Sequence, residues 1–117
     1  VAGAVTGCAP DMMGIGPIKA TREVLRRANW NIDDVDLFEL NEAFSSQSLA
    51  VIDDLEINPE IVNLHGGALA IGHPLGASGA RITGKAASLL QSTDSKRAVA
   101  TMCIGGGMGI SIALEKM

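Results

Sequence analysis

Short apolar runs alternate with amphipathic, helix-period segments along the whole chain, and this alternation limits the possible folds more than any other feature. Val1 to Gly7, Leu37 to Leu40, Ile61 to Leu64, Ala98 to Met102 and Ile110 to Leu114 have strand length and strand chemistry. Pro17 suits the first turn of a helix. On that helix Ile18, Thr21, Val24, Leu25 and Ala28 share one face, opposite Lys19, Arg22, Glu23, Arg26 and Arg27. A second helix is expected from about Ala43 to Leu55, with Phe44, Ser48, Val51, Ile52 and Leu55 as its buried stripe. A third, from about Ala77 to Gln91, carries small and apolar residues around nearly its whole circumference, with Arg81 and Lys85 as its only charges. A helix apolar on all sides is a buried helix. The order is β-α-β-α-β-α-β-β. Right-handed crossovers make the first four strands parallel, and the closing hairpin makes the last antiparallel. The expectation is therefore an α/β domain over residues 1–117 with a mixed sheet of about five strands.

Hydrophobic residues make up 47% of the chain but aromatics only 3%, so the core must be layered from Val, Ile, Leu, Ala and Met. The lone tryptophan, Trp30, follows the first helix and is expected to fold back over the apolar layer. A length of 117 residues fits one domain. The net charge of −4, with acids and bases interspersed, argues against nucleic acid or an anionic membrane as partner. Cys8 and Cys103 form no CxxC pair, and two histidines without ligand spacing argue against a metal. A reducing, cytoplasmic compartment is the expectation. No run approaches the ~20 apolar residues of a spanning helix. The sequence starts at Val1, already inside a strand, which suggests a fragment of a longer protein.

In open α/β sheets, ligands collect at the carboxyl ends of the strands. Asn41 ends one expected strand and Cys103 another, and the run Ile61 to Leu64 delivers the chain into His65 to Arg81. That segment carries glycines at 66, 67, 72, 76 and 79, with His73 and Pro74 at its centre. Glycines allow a close approach to the main chain. An amide, an imidazole and a thiol thus meet at one edge, beside the bare backbone of Gly105 to Gly107, in a pattern suited to chemistry on a carbonyl or thioester. Separately, each has a plainer explanation: a helix cap for Asn41, a core hydrogen bond for His73, a small buried hydrophobe for Cys103. Cys8 also ends a strand at that edge, and geometry alone does not choose between the two thiols. His65, adjoining the strand, reads as structural. Gly79 to Ala86 nearly matches the phosphate loop GxxxxGK[ST], but Ala86 lacks the hydroxyl and the run falls inside a helix.

Asn41-Glu42-Ala43-Phe44, Gly66-Gly67-Ala68, Gly72-His73-Pro74-Leu75-Gly76 and the run from Cys103 to Gly109, in this order and spacing, resemble the carboxyl-terminal half of the thiolases. Met13 to Pro17 does so too, and the likeness extends over essentially the whole chain. The resemblance implies one βαβαβαββ half of a duplicated fold, whose last helix lies between two sheets. It implies Claisen condensation of two acyl-CoA molecules, or thiolysis of a 3-ketoacyl-CoA, with a coenzyme A thioester as substrate and no other cofactor. It also implies that His73 activates the nucleophilic cysteine and, with a water held by Asn41, stabilises an enolate oxygen. Cys103 would then move the α-proton and the Gly105 N–H would line a second oxyanion hole. The nucleophile itself belongs to an amino-terminal half that nothing here resembles, so that half is an expected partner, the full-length enzyme is expected to be a homo-oligomer, and this chain alone is expected to be inactive. The alternatives are another condensing enzyme of the same fold, such as a ketoacyl synthase, or a binding module that kept the fold without the chemistry.

Overall fold

A computed structural model describes all of residues 1–117. Strand β1 (Ala2–Gly7) passes through a 3-10 turn at Pro10–Ile15 into helix α1 (Gly16–Ala28). Strand β2 (Leu37–Leu40), helix α2 (Ser45–Asp54), the single turn α3 (Ala68–Ile71) and helix α4 (Leu75–Ser92) follow, and strands β3 (Arg97–Ile104) and β4 (Met108–Glu115) close the chain. The sheet has four strands in the order β1-β4-β3-β2. β2 runs parallel to β3, and β4 runs antiparallel to both its neighbours. β1, β2 and β3 therefore share a direction and only the last strand opposes them, as expected.

The fifth strand is where structure and expectation part. Ile61 to Leu64 forms no ladder, only one parallel bridge between Phe38 and Val62. Asn63 ends the pairing because it takes a left-handed backbone, φ 50. Its side chain then replaces the missing strand: Oδ1 accepts from the Leu40 N–H at 2.9 Å and Nδ2 donates to the Leu40 carbonyl at 2.8 Å. The edge of β2 is satisfied without further strand, and the chain is released toward the strand ends.

Period-2 alternation divides the sheet between two layers. Phe38, Leu40, Val99 and Ala113 face α1 and α2, against Ile18, Val24, Leu25, Val51 and Leu55. Leu37, Ala98 and Ala100 face α4, against Ile82, Ala86, Leu89 and Leu90. The α1 face follows its expected periodicity, and Trp30 folds back through its N–H to the Leu25 carbonyl at 3.0 Å. The Arg97 guanidinium lies 4.9 Å from the Trp30 ring centroid. Two helices depart from expectation. α2 starts at Ser45, and Phe44 is extended (φ −145, ψ 145) and 58% exposed instead of buried. The Phe44 N–H donates to Gln47 Oε1, so the polar Gln47 takes the buried place. α4 buries Ser78, Ile82, Ala86, Leu89 and Leu90, while Gly76, Ala77, Ala80, Gly84 and Ala87 are exposed, so its second small-residue face lies uncovered. No helix is long and apolar enough to cross a membrane.

α1 meets β4 backbone to backbone. A Cβ on Gly109 would lie 2.1 Å from the Gly16 carbonyl, and one on Gly16 would lie 2.3 Å from the Met108 carbonyl oxygen. Neither neighbour is a side chain that can swing away. Beside this contact, Thr21 of α1 shares a buried hydroxyl network with Thr101 and Ser111, the latter two 2.6 Å apart. Gly109→Ala should lower stability by at least about 2 kcal/mol, as overpacking against a fixed backbone does. Urea denaturation reads this as a lower midpoint with an unchanged slope, and an unchanged midpoint would show that α1 can shift freely.

Candidate active site

The four residues singled out from the sequence reach one place by different routes. Asn41 directly follows β2, its N–H donating to the Thr101 carbonyl at 2.9 Å, and it is 1% exposed. Cys103, 5% exposed, lies near the end of β3, two residues before Gly105 in the turn that joins β3 to β4. Positive φ at Gly106 (91) and Gly107 (97) makes that turn tight. His73 sits between α3 and α4, where Pro74 caps α4. His73, Cys103 and Gly105 line one cavity of ≈ 440 Å³, together with Met13, Ala43, Phe44, Leu75, Met102 and Ile104. Asn41 adjoins it through His73, its Nδ2 lying 3.5 Å from Nδ1 and 3.4 Å from Nε2. Near-equal distances place the amide against the ring between its nitrogens, in line with neither.

The loop bearing His73 is held by β2. Glu42 accepts from Asn63 Nδ2 and from the Leu69 N–H, both at 3.0 Å. A Cβ at Gly67 would lie 2.6 Å from the Glu42 carboxyl carbon, so a larger residue there would displace the carboxylate from these bonds. Further along, Arg81 donates to the Gly72 carbonyl at 2.9 Å. His73 Nδ1 lies 2.6 Å from Ser78 Oγ.

Burial pushes the Cys103 thiol above its ordinary range, and the nearby Cys8 adds to the shift. Such a thiol holds its proton at neutral pH, which suits a group that delivers one. Cys8 does not line the cavity. Its backbone N–H donates to the Gly107 carbonyl at 2.8 Å, and its thiol faces the carbonyls of Met12 and Met13 at 3.7 and 3.9 Å. His65 lies apart from the cavity, with Nδ1 in hydrogen-bond contact with Lys85.

Sequence reasoning assigned no site role to four neighbours. Ser78 gave no signal, because its reach to His73 depends on the turn at Pro74. Phe44, expected in the buried stripe of the second helix, and Leu75, within the glycine-rich segment, are 58% and 82% exposed and line the cavity. Glu39 did carry a signal, a lone acid inside an apolar strand. It faces the α4 side two residues before Asn41 and lines a separate cleft of ≈ 230 Å³ with Arg81, Lys85 and His65. Glu39 Oε1 and Asn41 Oδ1 are both buried without a hydrogen-bond partner. Burial raises the Glu39 carboxyl from 4.5 to about 7; Lys85 and Arg81 oppose the shift and Glu42 adds to it. No group of three or more His, Cys, Asp or Glu is placed to hold a metal ion.

Residues 1–116 match the family described as the thiolase C-terminal domain, and the chain belongs to that family. It is 49% identical to an acetyl-CoA acetyltransferase of Chromobacterium violaceum, over 97% of this chain and 29% of the relative. It is 53% identical to a 3-ketoacyl-CoA thiolase of Aliivibrio salmonicida, over 97% and 30%. The crystal structure of human mitochondrial 3-ketoacyl-CoA thiolase superposes with a TM-score of 0.98 at 44% identity, covering all of this chain and 30% of that one. That human enzyme has also been solved in complex with CoA. The chain thus spans about 30% of the length of the proteins it matches.

Because the folded Glu39 binds its proton more tightly than an ordinary carboxyl, stability falls as pH rises from about 4.5 through about 7. Glu39→Gln, neutral throughout, should raise the stability read by urea denaturation by less than about 1 kcal/mol at pH 5 and by up to about 3 kcal/mol at pH 8. An equal shift at both pH values would mean that Glu39 carries no such penalty.

Proposed function

We propose that this chain is the carboxyl-terminal catalytic part of a thiolase that condenses two acetyl-CoA molecules or thiolyses acetoacetyl-CoA or a longer 3-ketoacyl-CoA. The observation that carries the reading is the single cavity lined by His73, Cys103 and Gly105, with the Asn41 amide against the imidazole. Relatives named acetyl-CoA acetyltransferase and 3-ketoacyl-CoA thiolase support it equally, so the acyl length stays open between them. The substrate thioester supplies all the coenzyme A involved, and no further cofactor is assigned.

In this reading a cysteine from the rest of the protein attacks the thioester, with His73 taking its proton. An acylated thiol then accepts a carbon nucleophile made by removing an α-proton. Cys103 takes that proton as its thiolate, having first lost its own proton to water in the cavity, and burial favours the neutral thiol that results. The enolate oxygen meets the His73 imidazole and a water held by Asn41, while the Gly105 N–H polarises the acyl carbonyl. The uncovered face of α4 is the surface that the amino-terminal half covers. The assembled protein is a homo-oligomer and works in the cytoplasm, the compartment for which a mouse relative is named cytosolic.

Two measurements test this reading. Incubated alone with acetyl-CoA, the chain should gain no acetyl group by mass spectrometry, since it lacks the nucleophile; rapid acetylation of Cys8 or Cys103 would place the nucleophile inside it. In the assembled protein, Cys103→Ala should slow condensation and thiolysis on the order of 10²- to 10⁴-fold, as loss of a general acid–base does, while the nucleophile still becomes acylated. Unchanged turnover in that variant would leave a binding module, not a catalyst, as the better description.

A further inference from the structure

Ser78 lies on the first turns of α4, fully buried at 0% exposure, and its hydroxyl touches two groups. Oγ is 2.6 Å from His73 Nδ1 and 3.1 Å from the Pro74 carbonyl oxygen. That carbonyl already accepts from the N–H groups of Ala77 at 2.9 Å and Ser78 at 3.0 Å. With two backbone donors in place, it does not need the serine proton. The hydroxyl is therefore free to turn either way, giving its proton to Nδ1 or to Pro74 while accepting from Nδ1. The Asn41 amide, lying between the two ring nitrogens, does not select one of them.

We propose that Ser78 is the positioning residue that holds the His73 ring in place while permitting both of its neutral tautomers. This rests on the thiolase reading above, which gives His73 two tasks with opposite requirements. To take a proton from a thiol, Nε2 must present a lone pair, so the ring proton sits on Nδ1 and Ser78 accepts it. The proton gained at Nε2 then passes to the departing coenzyme A thiolate, which restores that tautomer. To donate to an enolate oxygen, Nε2 must carry the proton, so Nδ1 presents the lone pair and Ser78 donates. The ring holds one proton in each neutral state; between the two steps Nε2 gains a proton from water in the open cavity and Nδ1 loses one to water, so the count is unchanged, while the serine hydroxyl proton only rotates to follow the tautomer. A carboxylate at position 78 accepts only, and holds a proton at Nδ1 in every step.

Two experiments on the assembled protein decide this. Ser78→Ala should lower kcat on the order of 10- to 100-fold, the range for losing a partner that orients an imidazole, with little change in KM. Acylation and condensation should both slow, because both tautomers lose their support. His73→Ala separates the two levels of the reading. If the wild-type protein has no thiolysis activity, or if His73→Ala keeps it, the functional assignment fails. If the wild type is active, His73→Ala is inactive and Ser78→Ala turns over like the wild type, the role of Ser78 alone fails. Should Ser78→Ala not fold, neutron diffraction from the wild type answers directly. The deuteron should sit on Nδ1 in the free protein. With a ketone analogue of acetyl-CoA bound, it should sit on Nε2, with the serine deuteron turned toward Nδ1. The same placement in both states overturns the proposal.

Discussion

The site depends on how one asparagine ends a sheet. Asn63 leaves the extended conformation after a single bridge to Phe38, and its amide makes with Leu40 both hydrogen bonds that another strand residue would have made. Leaving that donor and acceptor unmet at a half-buried edge costs about 1–3 kcal/mol each, so the amide is what lets the pairing stop here. Its Nδ2 also reaches Glu42, whose other oxygen holds the Leu69 N–H. The same few atoms therefore terminate β2 and anchor the loop that leads to His73.

That anchoring explains why the cavity draws on both layers of the fold. Alternation on β2 puts Glu39 and Asn41 on the α4 side with Leu37, whereas Cys103 continues the α1-facing series through Val99 and Thr101. Within the sheet these side chains point away from each other. Beyond the strand ends the division lapses, and His73 and Cys103 line one cavity together with Met13, Phe44 and Leu75. The backbone contact between Gly16 and Gly109 serves the same end, since it fixes the start of α1, and the 3-10 turn bearing Met13, against the hairpin that bears Gly105.

Much of this was legible in the sequence, for physical reasons that also mark where legibility stopped. Strand direction, the α1 face and the meeting of Asn41, His73 and Cys103 follow from hydrophobic period and crossover handedness, which act over many residues. The misread points each turn on one local competition. Asn63 chose a side-chain hydrogen bond over a fifth strand. Phe44 lost its place in a helical stripe because its N–H is capped by Gln47, which made position 44 extended and 47 buried. α4 is apolar on all sides, as periodicity implies, but one of its faces meets no element of this chain. Ser78 is a case of a different kind, because five residues of sequence separation say nothing about a 2.6 Å contact until the geometry at Pro74 is known.

Glu39 and Asn41 show how stability and function occupy the same surface. Each holds a buried acceptor without a partner, two residues apart at the end of β2, and a native chain keeps such a cost only where something else repays it. Asn41 touches the imidazole through Nδ2, which leaves its Oδ1 free for the water of the proposed reaction. Glu39 touches no reacting group, and its raised pKa marks a carboxyl kept partly neutral by burial despite Arg81 and Lys85 nearby. Both open toward the cleft beneath α4, whose outer face is the uncovered one. In the proposed two-part protein, whatever covers that face also closes the dielectric around Asn41. The strength of its interaction with His73 is therefore set by assembly as well as by the fold of this chain.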